Sequence, residues 1–191
     1  MMQKKLFSGL WFLCCATFLL TGCAVKQTYT SEQMDFSAVR TVAVLPFQNL
    51  TSDDQASERV RDAFMVVLLA SEGIYVLPPG EVARGVNRVG IRTPATPNVE
   101  EITKLQSVIG VDAVITGVLR EYGAVRSGSA EANLVSLSLQ MIETQTGTIV
   151  WSGASTRGGI TMTDRLLGSG GEPMDDVTIQ VVNDLLNQLF E

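Results

Sequence analysis

The distribution of apolar residues predicts a single α/β sandwich, with helices packed on a mixed sheet in the element order βαβααβββα. Three observations carry this expectation. Short β-branched runs alternate with capped amphipathic helices through residue 110. Strict apolar–polar alternation follows over residues 134–142. A last amphipathic helix closes the chain.

The first strand is read over Arg40 to Phe47, a run ending beside Pro46 and short enough to be buried on both faces. Ser52 with Gln55 has the spacing of a capping box, and Asp53 and Asp54 lie where the helix dipole favours negative charge. The helix they open is expected to reach about Ala70, with Ala56, Val60, Ala63, Phe64, Val67 and Leu68 on one stripe. Its second half, Met65 to Ala70, is apolar all round and therefore faces more than one partner. Gly73 to Leu77 reads as a second strand, Gly80 to Val89 as a short helix, and Gly90 to Pro97 as loop. Asn98 with Glu101 forms a second capping box, and that helix stops at Gly110.

Asp112 to Arg126 is a third, long strand, followed by a polar turn over residues 127–130. In Leu134 to Ile142, Val135, Leu137, Leu139 and Met141 alternate with Ser136, Ser138 and Gln140, so one face meets a core and the other meets water. A turn at Thr144 to Gly147 leads into Thr148 to Gly153, which makes the last three strands a meander. Residues 158–173 are glycine-rich and read as a flexible loop. The helix after Pro173 places Val177, Val181, Val182, Leu185, Leu186 and Leu189 on one face.

The amino-terminal segment has a different character. Lys4 and Lys5 precede an uncharged apolar run from Leu6 to Leu20, shorter than the ~20 residues that cross a bilayer. This is the pattern of a secretory signal. It ends Leu20-Thr21-Gly22-Cys23, which resembles the bacterial lipobox, and implies a diacylglyceryl thioether on Cys23 and cleavage before it. Ala24, rather than Asp, follows the cysteine, which resembles outer-membrane sorting. The expected organisation is therefore signal peptide 1–22, lipidated Cys23 and polar tether 23–38, and a periplasmic domain 39–191.

That processing removes Cys14 and Cys15 and occupies Cys23, so no thiol is left for a disulfide, a metal or a nucleophile. It also leaves 12 basic against 20 acidic residues, a net charge of −8, which excludes a nucleic-acid binder. The chain has no histidine, which removes Ser-His-Asp and Cys-His catalysis and the usual zinc sites. Gly168-Ser169-Gly170-Gly171 lacks the lysine of a phosphate loop. The carboxylate pairs Asp53/Asp54, Glu100/Glu101 and Asp175/Asp176 all fall at helix starts, where negative charge already has a structural reason. No catalytic residue, metal ligand or cofactor site is expected, and the protein is read as a non-enzyme.

Three segments in order, Val42-Ala43-Val44-Leu45-Pro46-Phe47-Gln48-Asn49, Gly110-Val111-Asp112-Ala113-Val114-Ile115-Thr116-Gly117 and Thr146-Gly147-Thr148-Ile149-Val150-Trp151-Ser152, resemble a superfamily of envelope lipoproteins. It includes the curli secretion-channel subunit (CsgG), the Pel polysaccharide export lipoprotein (PelC), the amino-terminal domain of TolB and lipoprotein activators of penicillin-binding proteins. The resemblance implies a self-assembling periplasmic component of an export or assembly system, with envelope protein partners and a polysaccharide or protein cargo. Activation of a peptidoglycan synthase is the alternative it implies. The hairpins are too short and glycine-rich for the transmembrane barrel of the curli channel, which needs strands of about 9–11 residues with a lipid-facing alternation. Two further expectations attach to the resemblance. Trp151 is a candidate membrane-interface contact, weighed against a place in the core, and Met65, Val66 and Leu69 are candidate subunit contacts.

Overall fold

The computed structural model describes residues 28–32, 36–71, 73–128, 130–160 and 171–190. Cys23 and the signal segment lie outside these residues, as do residues 161–170 of the glycine-rich loop. Seven strands form one mixed sheet: β1 (Thr28–Thr30), β2 (Thr41–Val44), β3 (Gln48–Asn49), β4 (Tyr75–Val76), β5 (Ala113–Ser127), β6 (Ala130–Glu143) and β7 (Ile149–Gly158). The helices are α1 (Ala56–Leu69), α2 (Pro79–Val89), α3 (Val99–Ile109) and α4 (Met174–Phe190).

The strand order is β1-β7-β6-β5-β2-β4, with β3 paired to the distal part of β5. Strands β2, β3 and β4 run parallel to their neighbours, and β5, β6 and β7 form the expected antiparallel meander. Helices α1 and α4 cover one face. Val60, Phe64 and Leu68 of α1 and Val177, Val181, Leu185 and Leu189 of α4 pack there on Val42, Ile115, Leu137, Leu139 and Met141. On the opposite face α2 and α3 cover only the β2 side, where Val82, Val86, Ile102 and Leu105 meet Ala43, Leu45, Val114 and Ile142. The mixed α/β sandwich is the one the sequence predicts.

Some boundaries differ from expectation, each for a tertiary reason. Thr28–Thr30 belongs to the sheet as β1, antiparallel to β7, although these polar residues carry no apolar alternation and were expected to be tether. The expected first strand is divided: Pro46 has no N–H to donate, and the chain rejoins β5 at Gln48–Asn49 after the bend. The second strand shrinks to Tyr75–Val76, held by Tyr75 N to Arg40 O and Leu77 N to Val42 O. Conversely β6 starts at Ala130, because Ala130–Asn133 pair with Ala124–Ser127 of β5, and β7 reaches Gly158, because Ala154–Gly158 pair with Leu134–Ser138 of β6.

The Ser52/Gln55 capping box does not form. The helix starts at Ala56, Gln55 is its cap without a side-chain bond, and the preceding turn is built on Asn49 and Asp53. The Asn49 Nδ2–H donates to Asp53 O (2.7 Å), and the Asp53 carboxylate accepts from the Gln55 N–H (3.0 Å). The Asn98/Glu101 box does form, with the Glu101 N–H donating to Asn98 Oδ1 (2.9 Å) and the Asn98 N–H donating to Glu101 Oε2 (2.8 Å). Two glycines permit close packing at the covered face. A Cβ on Gly117 would stand 2.6 Å from the Phe47 ring and 2.7 Å from Leu139, and one on Gly153 would stand 2.6 Å from the Trp151 indole.

Candidate functional site

Among the described residues, four places present groups able to act: the outer stripe of α1, an apolar pocket, the uncovered half of the sheet, and an ion-pair cluster joining β7 to α4. The α1 stripe follows from helical geometry. Residues three apart share a face, and the apolar run over 65–70 must divide because one face alone meets the sheet. Met65 and Leu68 turn inward, at 6% and 0% exposure, whereas Val66 and Leu69 stand 68% and 59% exposed. Of the three candidate subunit contacts, Val66 and Leu69 are thus presented to solvent by the protomer, and Met65 is part of the core.

Trp151 is 1% exposed. Its indole N–H donates to the Gln188 backbone carbonyl at 3.2 Å, and Gly153 leaves the room its ring occupies. The membrane-interface expectation for this residue is corrected accordingly: the protomer buries the ring under α4, as an aromatic on the inner face of a strand must be when a helix covers it. Its polar edge is satisfied internally rather than by water or lipid headgroups.

The pocket lies on the same covered face, beside the carboxyl end of α4 and β1. Its volume is about 330 Å³, and Phe36, Val39, Ile74, Met141, Leu189 and Phe190 line it together with Thr30 and Gln188. None of these residues carries a charge. Sequence periodicity does not reveal this site, because its walls come from five separated segments brought together only by the sheet order.

On the uncovered half-face, Thr116, Val118, Ser138, Gln140, Ser152 and Ala154 line a shallow groove of about 380 Å³. Arg120, which also lines it, donates through Nε–H to Ser138 Oγ (3.1 Å), and further along the strands the Ser136 and Thr156 hydroxyls share a bond of 2.8 Å. On the opposite side of β7, Asp184 accepts from Arg157 through both carboxylate oxygens and from the Ser155 hydroxyl (2.8 Å). The hydrogen bond from Arg157 holds the Asp184 carboxyl below its ordinary range, while partial burial opposes this and the Ser155 hydroxyl and the Arg157 charge add to it.

The carboxylate pairs have structural roles or face water. Asp53 binds Arg59, Glu101 closes its capping box, and Lys104 lies 2.7 Å from Glu100, lowering that carboxyl by hydrogen bond and charge. Asp175 and Asp176 sit in the first turn of α4. Among the described residues no group of three His, Cys, Asp or Glu is placed to hold a metal ion, and no helix is long and apolar enough to cross a membrane. Sequence reasoning missed Arg61, which is 7% exposed on α1, donates to Val44 O at 3.3 Å, and leaves its Nε without a partner. An arginine inside an otherwise apolar helical stripe is the signal that could have found it.

The family model described as "Putative lipoprotein GNA1162-like" matches residues 29–189. The chain belongs to the GNA1162-like lipoprotein family. A curated relative, "Putative lipoprotein NMB1124/NMB1162" of Neisseria meningitidis serogroup B, is 25% identical over 193 residues, spanning 99% of this chain and 84% of the relative. The crystal structure of lipoprotein GNA1162 from Neisseria meningitidis is similar at a TM-score of 0.54 and 22% identity, over 79% of this chain and 98% of that one. The PelC dodecamer from Paraburkholderia phytofirmans is similar at a TM-score of 0.55 and 13% identity, over 85% of this chain and 94% of that one. Identities this low establish a shared fold, that of PelC included. The match to a lipoprotein family bears out the expected lipoprotein resemblance, and it begins at Tyr29, within β1.

Proposed function

We propose that this family member is a non-enzymatic outer-membrane lipoprotein, acylated at Cys23, whose periplasmic domain assembles with copies of itself as a component of an envelope export or assembly system. The observation that carries the reading is the outward pair Val66 and Leu69, two large aliphatic side chains left in water on one helix face. Burying both in a subunit contact removes apolar surface worth about 1.5–3 kcal/mol per side chain. PelC, which has the same fold, is a dodecamer, and this supports the assembly step. A chain with no histidine and no thiol beyond its signal and lipobox has little to offer covalent or general-base catalysis, which supports a binding role.

Light scattering on the full lipoprotein in detergent, after chromatography, tests the reading. A mass several times that of one chain is expected, falling to one chain in the double variant Val66→Glu, Leu69→Glu. A strict monomer at all concentrations overturns self-assembly and leaves the synthase-activator alternative, which a raised glycan-polymerising rate on addition to a synthase would then support.

A further inference from the structure

We infer that the apolar pocket between α4, β1 and the Phe36–Val39 segment is a seat for one acyl chain of the protein's own Cys23 lipid, an inference that rests on acylation of Cys23. Three observations converge on this occupant. The first is size. The pocket, open to solvent on one side, has about 330 Å³ of room, about twice the ~150 Å³ apolar void that takes one benzene ring, enough for a stretch of one acyl chain.

The second is chemistry. The lining is Phe36, Val39, Ile74, Met141, Leu189 and Phe190, the last an aromatic left half-exposed at the end of α4. An unbranched hydrocarbon asks for such walls, and the polar residues of the lining are Thr30 and Gln188, the latter with its amide oxygen accepting from the Thr28 hydroxyl (2.7 Å) and its amide N–H groups suited to the ester or amide end of the chain. The third is reach. Thr30 both lines the cavity and belongs to β1, which Thr28↔Gly153 and Thr30↔Trp151 pairing fixes to the sheet edge. Position 23 is seven residue steps from Thr30, and at ~3.6 Å per step the sulfur lies within about 25 Å of Thr30. The anchored acyl chain is therefore present at high effective concentration beside the pocket and pays none of the translational freedom that a free lipid loses on binding.

Moving the chain from the bilayer to the pocket exchanges one apolar environment for another, so it is the tether that favours the protein's own lipid, and the remaining acyl chains are left to hold the membrane. Seating one chain thus shortens the leash between domain and bilayer, and it holds the carboxyl end of α4 against the anchor.

The experiment feeds cells a palmitate analogue carrying a photoreactive diazirine, purifies the full lipoprotein, irradiates it and maps the cross-linked peptides. The expected result is a cross-link from the Cys23 lipid to peptides containing Met141 or Leu189 within the same chain, with no mass beyond that of the acylated protein. In the cavity-filling variant Ile74→Trp this cross-link should fall at least fivefold, while acylation and the unfolding midpoint stay unchanged. Acylated protein that cross-links only to phospholipid or detergent, or to a second copy seen as a doubled mass, overturns the inference alone. Absence of any acyl mass on Cys23 overturns the lipoprotein reading together with it.

Discussion

The two faces of the sheet are built from the same three strands and meet opposite fates. On one face Val135, Leu137, Leu139 and Met141 of β6 lie under α4, with Trp151 beside them. On the other, Ser136, Ser138 and Gln140 of the same strand look onto a groove that no helix covers. A strand has a side-chain period of two, so a single run of residues writes both surfaces at once. The covered face holds the stability of the domain. The bare face contributes solubility and hydroxyl cross-links, and changes there should leave the fold standing.

The largest test of that difference is Trp151→Ala. Removing the indole leaves a void under α4 and strands the Gln188 carbonyl, and a loss of about 3–5 kcal/mol in urea unfolding is expected. A loss below about 1 kcal/mol would show that α4 does not seal this face. The next is the tie between β7 and α4. Asp184→Asn should cost about 1 kcal/mol, discounted because half of the Arg157 side chain is in water.

Its pH dependence has a definite sign. The folded-state value of Asp184 is lowered from 3.8, so the stability it contributes is fully present above that value and is lost as pH falls through the lowered one. Arg157, raised above its ordinary value by the same bond, keeps its charge across this range. The gap between native and Asp184→Asn unfolding energies is therefore constant near neutrality and narrows below about pH 4. A gap that persists unchanged at pH 2 would assign the effect to packing instead. The smallest effect is reserved for the bare face: Gln140→Thr should shift stability by no more than about 0.5 kcal/mol. A loss above 1 kcal/mol would mean that something in the protomer depends on this groove.

Legibility in the sequence follows the range of the interaction. The inward and outward positions of β6, the buried stripe of α4 and the Asn98/Glu101 box are local patterns, and they appear in the structure where the residues predict them. The Ser52/Gln55 box has the same spacing and fails, because Asn49 and Thr51, held by the pairing of β3 with β5, recruit Asp53 first. Strand β1 has no pattern of its own to read and exists because β7 offers an unpaired edge. The division of Met65, Val66, Leu68 and Leu69 between core and solvent could not be assigned while every residue of the segment was apolar.

The amino-acid order alone determined the class of fold, the sequence of its elements, the absence of histidine and the family resemblance, since each depends on residue type and short spacing. Tertiary structure decided which aliphatic residues of α1 face water, that Trp151 is sealed beneath α4, and that distant segments line an uncharged pocket beside β1. The physical reason is that burial is a property of what lies opposite a side chain. Periodicity states which residues share a face, and only the packed sheet states what that face meets.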